Sequence, residues 1–169
     1  MRLLSWNCQG LGNPWTVRSL HDLVRDQAPT VCFLMETRLD KEGFMHHCRE
    51  LAYPNKLIVK KPDSGGGLAL VWKEETRLEV INYTDNHILA KVVEDNGFQW
   101  FLTGFYGWPE ANQKCKSWAL LKHILLLLMV RGVVLVILTR SYTLLKNLAP
   151  THLRLNRWKS LGLPWKSVI

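Results

Sequence analysis

The stretch LLSWNCQGLGNPWTVRSLHDLV, Leu3 to Val24, changes hydrophobic period halfway along, and that change decides how the rest of the chain is read. Arg2 to Cys8 is an apolar, alternating run, which predicts a strand leading into a polar turn that carries Gly10 and Gly12. Thr16 is placed to cap a helix over 17–27, with Val17, Leu20, Leu23 and Val24 on one face. Pro29 punctuates the chain, and TVCFLME, Thr30 to Glu36, predicts a short buried strand with Glu36 just past its apolar run. Strand, helix, strand makes the two strands parallel neighbours if the helix is the crossover.

Working outward, KEGFMHHCRELA (41–52) predicts a second helix and YPNK a turn. Strands are expected at KLIVKK, GGGLALVWK, RLEVINYT, HILAKVVED and FQWFLTGFYG, the last two joined by Asp95-Asn96-Gly97, a hairpin signal. PEANQKCKSWALLKHI predicts a helix with Pro109 in its first turn. The order of elements describes a layered α/β protein with a mixed sheet, and no repeat interrupts the first 120 residues.

The chain's 169 residues suit one domain. Its net charge of +8 would ordinarily suggest a nucleic-acid or anionic partner. The charge is unevenly placed, however. Residues 1–110 hold 12 Lys/Arg and all 14 Asp/Glu, a balance of −2, whereas residues 111–169 hold 10 Lys/Arg and no acid, a balance of +10. Cys8, Cys32, Cys48 and Cys115 show no paired or metal-ligand spacing, which fits a reduced, intracellular protein, and the N-terminus shows no secretory signal.

Two residues stand out for chemistry. Asn7 ends the first strand and Glu36 the second, so in a parallel pair both would project from one sheet edge, where α/β proteins usually place their sites. A carboxylate beside an amide can seat a hard divalent cation. The plainer alternative makes Asn7 a turn residue and Glu36 a helix-start acid.

With LLSWNCQGLGNPWTVRSLHDLV, PTVCFLMETRL, GGGLALVWK and TGFYGWPE in order, the chain resembles the endonuclease/exonuclease/phosphatase family, and most of all the endonuclease domain of plant LINE-type (non-LTR) retrotransposons. The resemblance runs from Arg2 to about Lys122. It implies a two-sheet α/β sandwich that cleaves phosphodiester bonds with Mg²⁺ or Mn²⁺, with DNA as partner, no small-molecule cofactor and a nuclear setting. By motif, it makes Asn7 a phosphate- and metal-site residue, Glu36 the metal-binding carboxylate and Tyr106 the phenol that contacts the scissile phosphate.

Other candidates read as structural. His46, His47 and Cys48 are adjacent, so on a helix they point in different directions. Gly65-Gly66-Gly67 lacks a P-loop's Lys-Ser/Thr and precedes a strand. Trp6, Trp72, Trp100 and Trp108 read as core or rim aromatics.

The family's pattern also includes a Gly-Asp-x-Asn block and a Ser-Asp-His block, the latter carrying the general base. Past Glu110 this chain has neither, and His123 and His152 lie in no matching block. The expectation is therefore the N-terminal part of the sandwich over residues 1–122, truncated, followed by an irregular or non-native basic tail over 123–169. Sheet edges left uncovered by the missing part are an aggregation liability.

A frameshift near residue 123 accounts for the tail. Val136 to Tyr142 can be encoded so that reading two nucleotides later gives Asp-Phe-Asn-Glu-Ile-Leu, the family's missing block. Trp158-Lys159 and Trp165-Lys166 each force a Glu in that frame, because Trp has one codon.

The aliphatic run HILLLLMVRGVVLVILTRSYT, His123 to Thr143, invites a membrane reading. Ile124 to Leu138 is only 15 residues and is broken by Arg131 and Gly132, against the roughly 20 apolar residues a span needs. A further alternative is a non-catalytic module that holds nucleic acid through its basic tail, although residues 141–169 show no sustained helical or strand period.

Overall fold

A computed structural model describes residues 1–61, 66–108, 111–128, 134–138 and 143–146. Strands β1 (Arg2–Asn7) and β2 (Val31–Met35) pair in parallel, Leu3 opposite Val31 and Asn7 opposite Met35, with helix α1 (Pro14–Gln27) between them. α1 starts earlier than Thr16 because Asn13 is its cap. The Asn13 side chain accepts the Trp15 N–H at 3.0 Å, and Pro14, which has no N–H to satisfy, opens the first turn. Ala28 closes the helix in the left-handed region, its N–H bonded to Val24 O at 2.9 Å.

Helix α2 (Lys41–His47) is capped by Asp40, whose carboxylate accepts the Gly43 N–H at 2.9 Å. That N–H is the main reason the Asp40 carboxyl titrates below its usual range. α2 ends well short of Ala52, since the chain turns at Cys48 to bury Leu51 and Tyr53. The Tyr53 hydroxyl, donating to Pro29 O at 2.7 Å, locks that turn to the start of β2.

The first sheet runs β3-β4-β2-β1-β9, with β3 (Asn55–Val59) and β4 (Leu68–Trp72) antiparallel and β9 (Thr143–Lys146) antiparallel to β1. The second runs β5-β6-β7-β8, from β5 (Arg77–Thr84), β6 (His87–Val93), β7 (Gln99–Phe105) and β8 (Val134–Leu138). The Asp95–Gly97 hairpin forms as its sequence predicts, with Gly97 at φ 81° and Glu94 N–H bonded to Phe98 O at 2.9 Å.

Strand periodicity sends alternate residues to two buried layers. Leu3, Val31, Phe33, Met35, Leu68 and Leu70 meet Ile88, Ala90, Val92 and Leu102 of the second sheet. Leu4, Cys32, Leu34, Ala69 and Val71 point the other way, under Leu20 of α1 and Phe44 of α2. Burial on both faces explains why β2 is apolar throughout rather than alternating. On the far side, Leu121 and Ile124 of α3 (Lys114–Leu128) cover Leu89 and Phe105. The layers are thus helix, sheet, sheet, helix, the two-sheet α/β sandwich. Gly104 permits the central contact: any Cβ there would overlap the Phe33 ring.

The segment past residue 123 contributes to both sheets. α3 runs through residues 122 and 123 without a break, β8 adds in parallel to β7, and β9 adds to β1. Regular structure at Thr143–Lys146 is more than the sequence predicts. Four residues are too few to establish a period, and pairing with β1 supplies what the pattern lacks. The aliphatic run is divided between α3 and β8, and among the described residues no helix is long and apolar enough to cross a membrane. Pro109, Gly65, His152 and the tail from residue 147 lie outside the described residues.

Candidate active site

The parallel pairing of β1 and β2 carries Asn7 and Glu36 to the same sheet edge, and the end of β7 brings Tyr106 across from the second sheet. Asn7 Nδ2 donates to Glu36 Oε1 at 2.7 Å, and the Tyr106 hydroxyl donates to the same oxygen at 2.7 Å. Residues 70 positions apart therefore converge on one carboxylate whose side chain is 16% exposed. Asn7 Oδ1 accepts the Gln9 N–H at 3.1 Å, so both ends of the amide are fixed in orientation.

Glu36 itself is held in the left-handed region at φ 52°, and Arg38 at φ 55°. Such a conformation costs a non-glycine residue about 1–3 kcal/mol and persists only where surrounding contacts dictate it. Here four backbone hydrogen bonds do so. Glu36 O and Thr37 O accept from Gly10 and Leu11 at 2.8 and 2.9 Å, while the Thr37 and Arg38 N–H groups donate to Gly67 O and Gly66 O at 3.2 and 2.9 Å. Gly66 and Gly67, from the turn read before β4, are thus one jaw of a clamp. Gly67 has φ 111°, and a Cβ there would lie 2.7 Å from Thr37 Oγ1.

Sequence reasoning missed two residues. Arg38 Nη2 lies 3.7 Å from Glu36 Oε2, half-exposed and able to face an anion. Asn86 is buried and grips the Tyr106 backbone twice: its backbone carbonyl accepts the Tyr106 N–H at 2.7 Å, and its Nδ2 donates to Tyr106 O at 2.8 Å. Next to it, His87 Nδ1 meets Thr84 Oγ1 at 2.8 Å. Burial, and secondarily His123, push the His87 imidazole below its usual range, favouring the neutral ring. Arg38 lay in plain view inside the block PTVCFLMETRL; Asn86 carried no local signal at all.

Among the described residues, no side-chain hydrogen bond joins the other candidates to Asn7 or Glu36. His46 and His47 touch edge-on at 5.0 Å between ring centroids, while Cys48 is buried elsewhere. Trp100 is a core residue with its indole N–H donating to Glu94 at 3.2 Å. Trp6 and Trp72 pack against the two cores, and Trp108 is half-buried, its N–H held by Ser117 Oγ at 3.0 Å. All four cysteines are free, and burial raises the Cys32 thiol to about 12 and the Cys48 thiol to about 11.

A hard cation fits Glu36 in part. Both neutral donors bind Oε1, while among the described residues Oε2 faces Arg38 at 3.7 Å, and Mg²⁺ is commonly held by one or two carboxylates with waters filling the remaining positions. Among the described residues no cluster of three His, Cys, Asp or Glu side chains could hold a metal, so Glu36 is the one carboxylate among the three side chains gathered here.

A sandwich with this carboxylate at its edge defines a class, and sequence comparison identifies it. The chain belongs to the endonuclease/exonuclease/phosphatase family, whose profile matches residues 4–161. No curated protein sequence matches it. Among solved structures it is similar to a humanized D. rerio TDP2 (TM-score 0.58, 19% identity, 82% of this chain and 60% of that one). It is also similar to the human Nocturnin catalytic domain (TM-score 0.54, 16% identity, 73% and 59%). The 3′ phosphatase NExo from Neisseria, bound to a product DNA hairpin, is similar too (TM-score 0.58, 15% identity, 82% and 56%). At these identities the likeness is one of fold, and the chain spans less than two thirds of each.

Proposed function

We propose that this chain is a remnant of a metal-dependent phosphodiesterase of the DNA endonuclease type, of retrotransposon origin, that retains half of its active site and no useful turnover. The observation that carries the reading is the convergence of Asn7 and Tyr106 on Glu36. Mg²⁺ or Mn²⁺ bound there would neutralise charge on the phosphorane-like transition state. Glu36 would hold the ion through Oε2, Asn7 would brace the carboxylate and lend its carbonyl oxygen, and the Tyr106 phenol would orient a phosphate oxygen. Two of the solved neighbours were captured with DNA products, which supports DNA as the substrate class.

Turnover also needs a base to take the proton of the attacking water, typically worth about 10²–10⁴ in rate. The absence of any Asp or Glu beyond Glu110 supports loss of that half. The register of β8 supports a frameshift as the cause. Leu138 lies opposite Phe105, the residue before Tyr106. In the frame two nucleotides on, the codons from Val136 to Thr139 can spell Asp-Phe-Asn, and Val136 to Leu138 end the strand that pairs with β7. The coding DNA of Val136 to Tyr142 is expected to spell Asp-Phe-Asn two nucleotides on; codons that do not would remove the frameshift.

The metal site is tested by Mn²⁺ titration followed by electron paramagnetic resonance. One weak Mn²⁺ ion is expected to bind, and Glu36→Gln is expected to abolish it. Binding that survives Glu36→Gln would refute the assignment. The +10 balance of residues 111–169 favours a second reading, a non-catalytic nucleic-acid-binding module, which predicts steeply salt-dependent DNA binding lost on removal of the tail.

A further inference from the structure

On the outer helical layer, α1 and the end of α2 border an open surface groove of ≈ 500 Å³. α1 contributes Arg18 and His21, α2 contributes His46 and His47, and the turn after it contributes Arg49 and Glu50. Two guanidinium groups and three imidazoles thus line the groove with one carboxylate. None of these six side chains makes a hydrogen bond or ion pair among the described residues. Arg77 at the start of β5 is likewise without a side-chain partner among the described residues, whereas Arg2 bonds Gln27 O at 3.1 Å, Arg25 pairs with Asp22 at 2.8 Å and Arg38 with Glu36 at 3.7 Å. Asp22, next to His21, is therefore already occupied by Arg25 and does not neutralise the groove.

Arg18 and Arg49 are exposed along one groove, and the guanidinium fork matches phosphate oxygens in pairs. Beside the groove, the indole of Trp15 is 74% exposed, one turn of α1 before Arg18. An exposed aromatic plane beside cations is the arrangement on which nucleobases stack while the backbone phosphate is held. We propose that this groove binds a backbone phosphate of a polynucleotide, a second contact independent of the metal reading of Glu36.

The full chain is titrated with a short labelled oligothymidylate and, separately, with inorganic pyrophosphate. EDTA is present throughout, so that no metal at Glu36 contributes. Oligothymidylate is expected to bind, and an Arg18→Gln/Arg49→Gln double variant to weaken binding by about tenfold or more, since hydrogen bonds to charged groups are worth about 1.5–3 kcal/mol. Trp15→Ala is expected to weaken oligothymidylate but not pyrophosphate. If the double variant fails to fold, the charge-reversing Glu50→Lys decides, because it must tighten binding. Oligothymidylate binding that is absent from the folded chain, or unmoved by these changes, would overturn the proposal. Pyrophosphate binding with no oligothymidylate binding would overturn the polynucleotide assignment.

Discussion

Strands β2 and β8 are both five-residue apolar runs, VCFLM and VLVIL, and each lies parallel to a neighbour within its own sheet. Their C-terminal ends differ. After β2 come Glu36, Thr37 and Arg38, clamped by four backbone hydrogen bonds into a left-handed turn that aims a carboxylate at Asn7 and Tyr106. After β8 come Thr139 to Tyr142, with no acid. Aliphatic residues in almost any order can add a strand to an open sheet edge, because the ladder is made by the backbone. A reacting centre needs one residue type at one position. Strand architecture therefore tolerates sequence change that a reacting centre does not.

The contrast is probed most severely at β2. Phe33→Ala removes the ring that fills the space left by Gly104, and is expected to cost about 3–5 kcal/mol in urea denaturation. A loss under about 1 kcal/mol would mean that the two sheets are not packed through this contact. A smaller effect is expected at the strand end, from Gly67→Ala. Its new Cβ would press on Thr37 in a backbone conformation that disfavours side chains, at an expected cost of about 1–3 kcal/mol. It should also weaken Mn²⁺ binding, because the clamp positions Glu36. Unchanged Mn²⁺ affinity with lowered stability would show that the carboxylate does not depend on the clamp.

Much of this was legible in the chain. Leu3 to Val24 announces strand and helix through its change of period, and the parallel pair of β1 and β2 is enough to bring Asn7 and Glu36 to one edge. Tyr106 could be placed only through the family resemblance, since nothing local links it to a residue 70 positions away. The left-handed Glu36 and the grip of Asn86 on Tyr106 were not legible, because both arise from backbone contacts between distant loops. Asn13 was passed over for Thr16 because Asn-Pro reads equally well as a turn; the cap bond to Trp15 decides between them. β9 was missed because its four residues are ordered by β1 rather than by their own pattern.

The proposed loss of turnover makes a sharp prediction for the nicking of supercoiled plasmid DNA with Mg²⁺ or Mn²⁺, measured for the chain beside its Glu36→Ala variant. The two are expected to be indistinguishable from each other and from the metal alone. Cleavage by the chain that disappears in Glu36→Ala would overturn the inactive reading, and would mean that a base outside the family's pattern completes the site.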